Sequence, residues 1–237
     1  SSDLFSPPHL GLLWKSSPTA VWFVSLGSGF EVSALSELSA NPYGSGFNPD
    51  INPMELIGLD FGFRKKRPSY RWEVVAFYTK ATNELIRYEL EDFPDQNFYR
   101  NLGESTRYGI EVDASLIAYK NHMLQGGISL ASYRFLDDGT AKNLPGVPAN
   151  TANLGWMYSN DGWELSIDGR FAGNFFADNA NTVRIDHYGL ANFEIQKEFH
   201  LKSIAITLGC SVFNLTNTRY FDNVRRSEEH TSELQSP

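Results

Sequence analysis

The chain is poor in the features that mark most enzymes, nucleic-acid binders and helical membrane proteins. It has one cysteine, Cys210, which excludes an intrachain disulfide framework and a cysteine-based metal cluster. No apolar run approaches the roughly 18 residues that a membrane-spanning helix needs. That shortage excludes helical spans but not a membrane β-barrel, whose strands alternate lipid-facing and lumen-facing residues. Positive charge is in deficit, with 20 Lys and Arg against 28 Asp and Glu, which argues against a nucleic-acid partner. The five histidines, His9, His122, His187, His200 and His230, are scattered, and none pairs at helical spacing to hold a metal. GxSxG, a phosphate-binding loop and HExxH are all missing, so no catalytic constellation is expected and no cofactor is implied. The acidic pairs Glu91-Asp92 and Asp137-Asp138 read as solvated loop charge.

What is present is a period of two. In Glu55–Arg64, the residues Ile57, Leu59, Phe61 and Phe63 oppose Gly58, Asp60, Gly62 and Arg64. In Arg107–Ala118, Tyr108, Ile110, Val112, Ala114 and Leu116 oppose Arg107, Gly109, Glu111, Asp113 and Ser115. Trp163–Phe175 and Ser203–Phe213 repeat the pattern. Such alternation predicts strands with one apolar and one polar face. Weaker alternation marks His9–Lys15, Thr19–Gly29, Tyr70–Tyr88, Phe98–Thr106 running into the Arg107 strand, Met123–Phe135, Ala149–Ser159 and Arg184–Phe199, giving about ten antiparallel strands in all.

The connections alternate in length. Short links at 16–18, 65–69, 120–122, 160–162 and 200–202 interleave with long ones at 30–54, 89–97, 136–148 and 177–183. An up-and-down membrane barrel has tight turns at one end and long loops at the other, whereas a Greek-key sandwich does not keep one end short. Several strands exceed the usual ~5–6 residues of globular sheets. Aromatics such as Trp14, Trp22, Tyr70, Tyr78, Tyr119, Tyr158, Trp163, Phe175, Phe199 and Phe213 sit near strand ends, as interfacial girdles require and as plain β-propensity also allows.

The two ends of the chain stand apart from this pattern. Ser1 opens it without Met or a signal peptide, so the N-terminus reads as cut. At the other end, Arg226–Ser236 matches residue for residue the translation of a common sequencing adapter. Residues 226–237 are therefore expected to be non-native, to pack against nothing and to extend no strand. They carry one Arg and three Glu, so leaving them out moves the formal net charge from −8 to −6.

Several segments resemble TonB-dependent outer-membrane receptors of the iron-complex, or siderophore, class. Ser28-Gly29-Phe30, Glu37-Leu38 and Asn48-Pro49-Asp50-Ile51-Asn52-Pro53-Met54-Glu55 look like the family's GF…P…EL…NPDLKPE block, with Val32 where the block usually has Pro and Met54 interrupting its Pro-Glu pair. Phe98–Ser105 with Gly109-Ile110-Glu111, Leu144–Pro148 with Asn153-Leu154-Gly155, Ala177–Thr182, and Val212–Asn217 with Tyr220 continue the match in order. The resemblance implies an all-β fragment, residues 1–225, from the C-terminal half of a twenty-two-stranded transmembrane barrel, with the plug, its TonB box and the final strand absent. It also implies a receptor that takes up a scarce nutrient, most often a ferric siderophore or other metal chelate, with the TonB complex acting through the missing plug. A Gram-negative outer membrane is the expected location.

Candidate residues follow from this resemblance. External loops carry Tyr43, Phe47, Arg87, Tyr88, Phe93, Phe98, Tyr99 and Arg100, whose rings and guanidinium groups suit a planar anionic chelate, although the same residues could simply pack the loops. Arg107, Glu111, Asp113, Asp168, Arg170 and Glu194 are expected to face the lumen and plug. The oxygens of Asp178, Asn179 and Asn181 could ligate a hard cation, and plain turn chemistry is the simpler account. Among other functions, a passive porin-like channel is the main alternative, ahead of a secreted β-sandwich binding module. An enzyme comes last.

Overall fold

The structure is a computed structural model that describes residues 7–221, except 91, 102, 138 and 203, together with 223–225 and 233–235. Glu91 and Asp138 of the two acidic pairs thus lie outside the described residues.

The chain runs as a series of long hairpins. Strands β1 (His9–Ser17) and β2 (Ala20–Glu31) are followed by a long connection that holds the short helix α1 (Leu35–Ser39). Next come β3 (Met54–Arg67) and β4 (Tyr70–Thr82), then a small ribbon of β5 (Leu85–Leu90) and β6 (Phe93–Asn101). The third long hairpin is β7 (Glu104–Tyr119) and β8 (His122–Asp137), with β9 (Thr140–Asn143) folding back on β8. Strands β10 (Asn150–Asn160) and β11 (Trp163–Ala172) lead to a two-residue ribbon of β12 (Phe175–Phe176) and β13 (Arg184–Ile185), and then to β14 (Tyr188–Leu201) and β15 (Ile204–Val212). Two final pieces, β16 (Asn223–Arg225) and β17 (Glu233–Gln235), pair with each other.

Ten strands form one antiparallel sheet in the order β1-β2-β3-β4-β7-β8-β10-β11-β14-β15. The sheet is open, with β1 and β15 at its edges. All five short turns lie at one end and all four long connections at the other, because each strand pairs with its sequence neighbour in the sheet. Asp161-Gly162 shows why the turns are tight. Both residues have positive φ, 48° and 74°, the conformation that matches a two-residue turn to the twist of its strands.

Three boundaries differ from expectation. The segment 70–88 is two strands rather than one, because Asn83, at φ 59°, turns the chain out of the main sheet into the β5–β6 ribbon. The return segment 98–118 is split in the same way between β6 and β7. Strand β11 stops at Ala172, and Phe175 belongs to the β12–β13 ribbon. The tail also needs a correction, since Glu233–Gln235 pairs with Asn223–Arg225, Val224 opposite Leu234. That ribbon joins no strand of the main sheet, and two isolated strands are marginal in water. Residues 226–232 and 236–237 lie outside the described residues.

Register places one apolar row after another on a single face. Leu12, Val24, Phe61, Ala76, Ile110 and Leu130 are successive direct partners across six strands. Toward the other edge, Trp156, Ile167, Phe193 and Val212 do the same. Most of these residues are solvent-exposed in the isolated sheet, with Phe61 at 49% and Leu130 at 56%, while Trp156 and Phe193 are half-buried. The opposite face carries rows such as Arg64, Glu73, Asp113, Gly127, Asn153 and Arg170. Phe23 and Phe77 interrupt it, and Phe23 lies so close over Gly62 that a Cβ there would sit 2.2 Å from the ring.

Neither face is covered, so the buried apolar side chains gather at the long-loop end. Ala172, Phe175, Ala177, Ile185 and Tyr188 form one cluster, with Leu190, Tyr220 and Phe221 packed against it. Phe98 and Phe135 are each 1% exposed. Phe175 is therefore loop core and not part of a girdle.

Candidate functional site

The long-loop end is built by asparagine side chains that imitate a strand partner. The Asn101 carboxamide accepts the Asn52 N–H at 2.7 Å and donates to the Asn52 carbonyl at 2.9 Å and the Asn83 carbonyl at 2.6 Å. Asn181 treats Asn143 in the same way, at 2.7 and 2.9 Å. Asn214 clasps Thr218 at 2.9 and 2.9 Å, while the Leu215 N–H reaches the Ala191 carbonyl at 2.7 Å. Each clasp satisfies the amide and carbonyl of one loop residue, which would otherwise need water. The first ties the 32–53 connection to the β5–β6 ribbon, and the second ties the 138–149 connection to the 173–187 connection.

The eight ligand candidates fall on the first of these tied units. Tyr43 and Phe47, on the 32–53 connection, are 73% and 63% exposed. The Tyr43 hydroxyl donates to Asp50 Oδ2 at 2.8 Å. That hydrogen bond, with the Asp50 charge behind it, holds the Tyr43 hydroxyl above its ordinary pKa. In the ribbon, Arg87 pairs with Tyr99 and Tyr88 with Phe98. The Arg100 guanidinium lies 5.4 Å from the Tyr88 ring centroid. Phe98 stands apart from the other seven. It is buried, with the rings of Tyr88 and Phe93 at 6.0 and 5.8 Å, so it supports the ribbon while Phe93 and Arg100 are exposed.

The six lumenal candidates share the polar face. Glu111 accepts from Ser129 Oγ at 3.4 Å, and Asp168 accepts from Asn192 Nδ2 at 2.8 Å. Asp113 faces Gly127, where a Cβ would come within 2.7 Å of its Oδ1 and 3.2 Å of Asn153 Nδ2, so the missing side chain lets these polar groups converge. Arg170 lies opposite Asn153 and Leu190, and Glu194 opposite Ser166 and Ser211. Arg107 differs from the rest. Its Nη2 donates to Glu84 Oε1 at 2.7 Å and Ser105 Oγ donates to the other oxygen of that carboxylate, so Arg107 anchors the foot of the β5–β6 ribbon. Glu84, the clasping roles of Asn101 and Asn181, and the Arg64–Glu73 ion pair on the polar face carry no local sequence signal, because their partners are distant in sequence or on a neighbouring strand.

The 178–181 loop is turn chemistry. Burial works to raise the Asp178 pKa, but hydrogen bonds from the Val183 N–H and from the hydroxyl and N–H of Thr182 outweigh it and hold the carboxyl below its usual value. No group of three or more potential metal ligands occurs among the described residues.

This architecture matches known proteins. A vitamin B12 transporter, BtuB, from Photobacterium profundum is 23% identical over 169 residues, which are 70% of this chain and 27% of the transporter. The ferric yersiniabactin uptake receptor FyuA from Yersinia pestis superposes with a TM-score of 0.75 at 14% identity, over 97% of this chain and 35% of the receptor. The ferric citrate transporter FecA gives 0.75 at 18% identity, over 98% and 36%. The chain thus spans about a quarter to a third of the length of these relatives, and they lend no support to a passive channel. Residues 5–215 match the family described as TonB dependent receptor-like, beta-barrel, and the chain belongs to that family.

Proposed function

We propose that this chain forms part of the wall and external rim of an outer-membrane receptor for TonB-energised uptake of a scarce nutrient. The observation that carries the reading is the ten-strand sheet with two unlike faces, apolar on one side and charged on the other, in a member of this family. The apolar face meets lipid, whose hydrocarbon demands a sheet without free edges, so β1 and β15 pair with further strands of the same barrel. The polar face meets the plug, through which the TonB complex acts, and its excess of carboxylates over cations from β7 to β14 suits a basic plug surface and not nucleic acid.

The ligand is a metal chelate, a ferric siderophore first among them. Tyr43, Phe47, Tyr88, Phe93 and Tyr99 supply rings, and Arg87 and Arg100 supply positive charge that would offset an anionic chelate. The named relatives take vitamin B12, ferric yersiniabactin and ferric citrate, which are all metal complexes.

The test is growth on a supplied chelate. The full-length receptor goes into a Gram-negative host that lacks its own siderophore receptors and is starved of iron. Ferric chelates should restore growth only when TonB is intact. Solute passage that continues without TonB would overturn transport by this mechanism in favour of a passive channel.

A further inference from the structure

The outward apolar face carries charge only at its two ends, balanced at the long-loop end and purely basic at the short-turn end. At the long-loop end, register places Glu55, Lys80, Glu104 and Arg134 on this face, and Lys80 pairs with Glu104 at 2.7 Å. At the short-turn end, the residues at the corresponding positions are Lys65, Arg67 and Lys197, with no acid among them. Lys197 is engaged, donating to the Asp161 carbonyl and lying 5.2 Å from the Trp163 ring centroid. Lys65 and Arg67 have no ion-pair partner among the described residues, although Arg67 lies directly opposite Tyr70 and Lys65 opposite Trp72.

Beside these cations the face is notched. Lys65, Trp72, Ala114, Gly126 and Leu154 are direct partners across five strands. The two small residues in the middle of this row floor a groove of about 300 Å³, walled by Val112 and Ile128 on one side and Leu116 and Leu124 on the other. The register sets its height. Arg67 and Tyr70 flank the β3–β4 turn, whereas Leu116, the partner of Tyr70, lies three residues inside the end of β7 at Tyr119. The row therefore climbs away from the short-turn end as it runs from β3 to β8, which puts the cations at the rim and the groove deeper in the apolar band.

We propose that this is a binding site for an anionic glycerophospholipid of the leaflet at the short-turn end. Lys65 and Arg67 hold the phosphate and the Ala114–Gly126 groove seats one acyl chain. The site rests on the reading that this face meets lipid. Cations set beside aromatic rings at a membrane surface favour anionic headgroups, and a groove floored by a methyl and a hydrogen accepts a methylene chain that Leu or Ile at either position would exclude.

The experiment uses the full-length receptor in mild detergent, with native mass spectrometry counting retained lipids during titration with phosphatidylglycerol or phosphatidylethanolamine. The wild type should hold one phosphatidylglycerol in preference to phosphatidylethanolamine. Removing both charges, K65Q with R67Q, should weaken that lipid by roughly 25-fold, about fivefold per cation. A114L fills the groove floor without touching the charges and should weaken both lipids at this site. Gel mobility that shifts on heating checks that each variant still folds. An unchanged phosphatidylglycerol count in either folded variant overturns the site. A wild-type receptor that stays in solution without detergent would instead overturn the membrane reading on which the site rests.

Discussion

The two ends of the sheet solve the problem of turning the chain in opposite ways. At the short-turn end, five turns do the work with local chemistry, as in Asp161-Gly162, and among the described residues only Ala20 there is a buried hydrophobe. At the long-loop end, the 173–187 connection builds a small core of its own, Phe98 is buried in the β5–β6 ribbon, and asparagine clasps between residues up to 49 positions apart tie each connection to a neighbour. The short end needs no core because the strands hold their turns. The long end needs one because its loops must keep a shape with no sheet beneath them. Between the two lies the band of outward apolar residues, which neither end covers.

The largest effect should come from that band. Leu59 lies near the middle of the outward face of β3, between Glu55 and Lys65 and opposite Leu26 and Tyr78. Leu59→Arg in the full-length barrel should cost about 2–4 kcal/mol in lipid, and Tyr70→Arg, beside the short turn, only about 0–1 kcal/mol. Equal costs at the two positions, measured by denaturant unfolding in vesicles, would mean that the face has no membrane depth. Asp60→Arg, on the opposite face of the same strand, should cost little unless it meets the plug.

Next come paired changes at the two ends. Gly162→Ala puts a Cβ at φ 74° and within 2.8 Å of the Glu198 carbonyl, so it should destabilise the β10–β11 hairpin by about 1–2 kcal/mol. Asn101→Ala removes three hydrogen bonds, each worth about 0.5–1.5 kcal/mol net, yet its effect should stay local. Hydrogen exchange at the Asn52 amide should accelerate at least tenfold while the unfolding midpoint of the barrel barely moves. A drop in the global midpoint would show that the loops and the sheet form one cooperative unit.

The same contrast explains what was legible in the sequence. The ten strands, their faces and the alternation of short and long links could be read because a period of two and a turn dipeptide are local signals. Nothing local marks Asn83 as the end of β4, because its positive φ goes with the turn of the chain into the β5–β6 ribbon. The clasps were hidden for the same reason, since Asn101 and Asn181 look like ordinary loop polar residues until their partners are adjacent. Phe98 reads as a surface ring and is buried, with Tyr88 and Phe93 against it, because a short ribbon outside the main sheet buries side chains only through its own fold. Alternation places Arg107 on the polar face, but its tie to Glu84 lies across a chain reversal that alternation does not describe.

The smallest effect concerns acid, and it again separates the ends. Among the described residues, Asp178 is the one long-loop carboxylate whose pKa is held below the ordinary value: burial pulls it up, but hydrogen bonds to its charged form from the Val183 and Thr182 N–H groups and the Thr182 hydroxyl outweigh that. A group with a depressed folded pKa contributes stability that is fully present above its unfolded value of about 4 and is lost as pH falls through the folded value. The 173–187 connection should therefore loosen below about pH 4, opening the clasp between Asn181 and Asn143, while the Asp161-Gly162 turn keeps its protection. Limited proteolysis with an acid-active protease at pH 3 and pH 5 reads this as new cleavage in 173–187 at the lower pH. Asp178→Asn keeps one acceptor oxygen but cannot titrate in this range, so its loop should be looser at pH 5 and should change little on going to pH 3. Cleavage in the variant that still rises between those two values would place the acid sensitivity in another group.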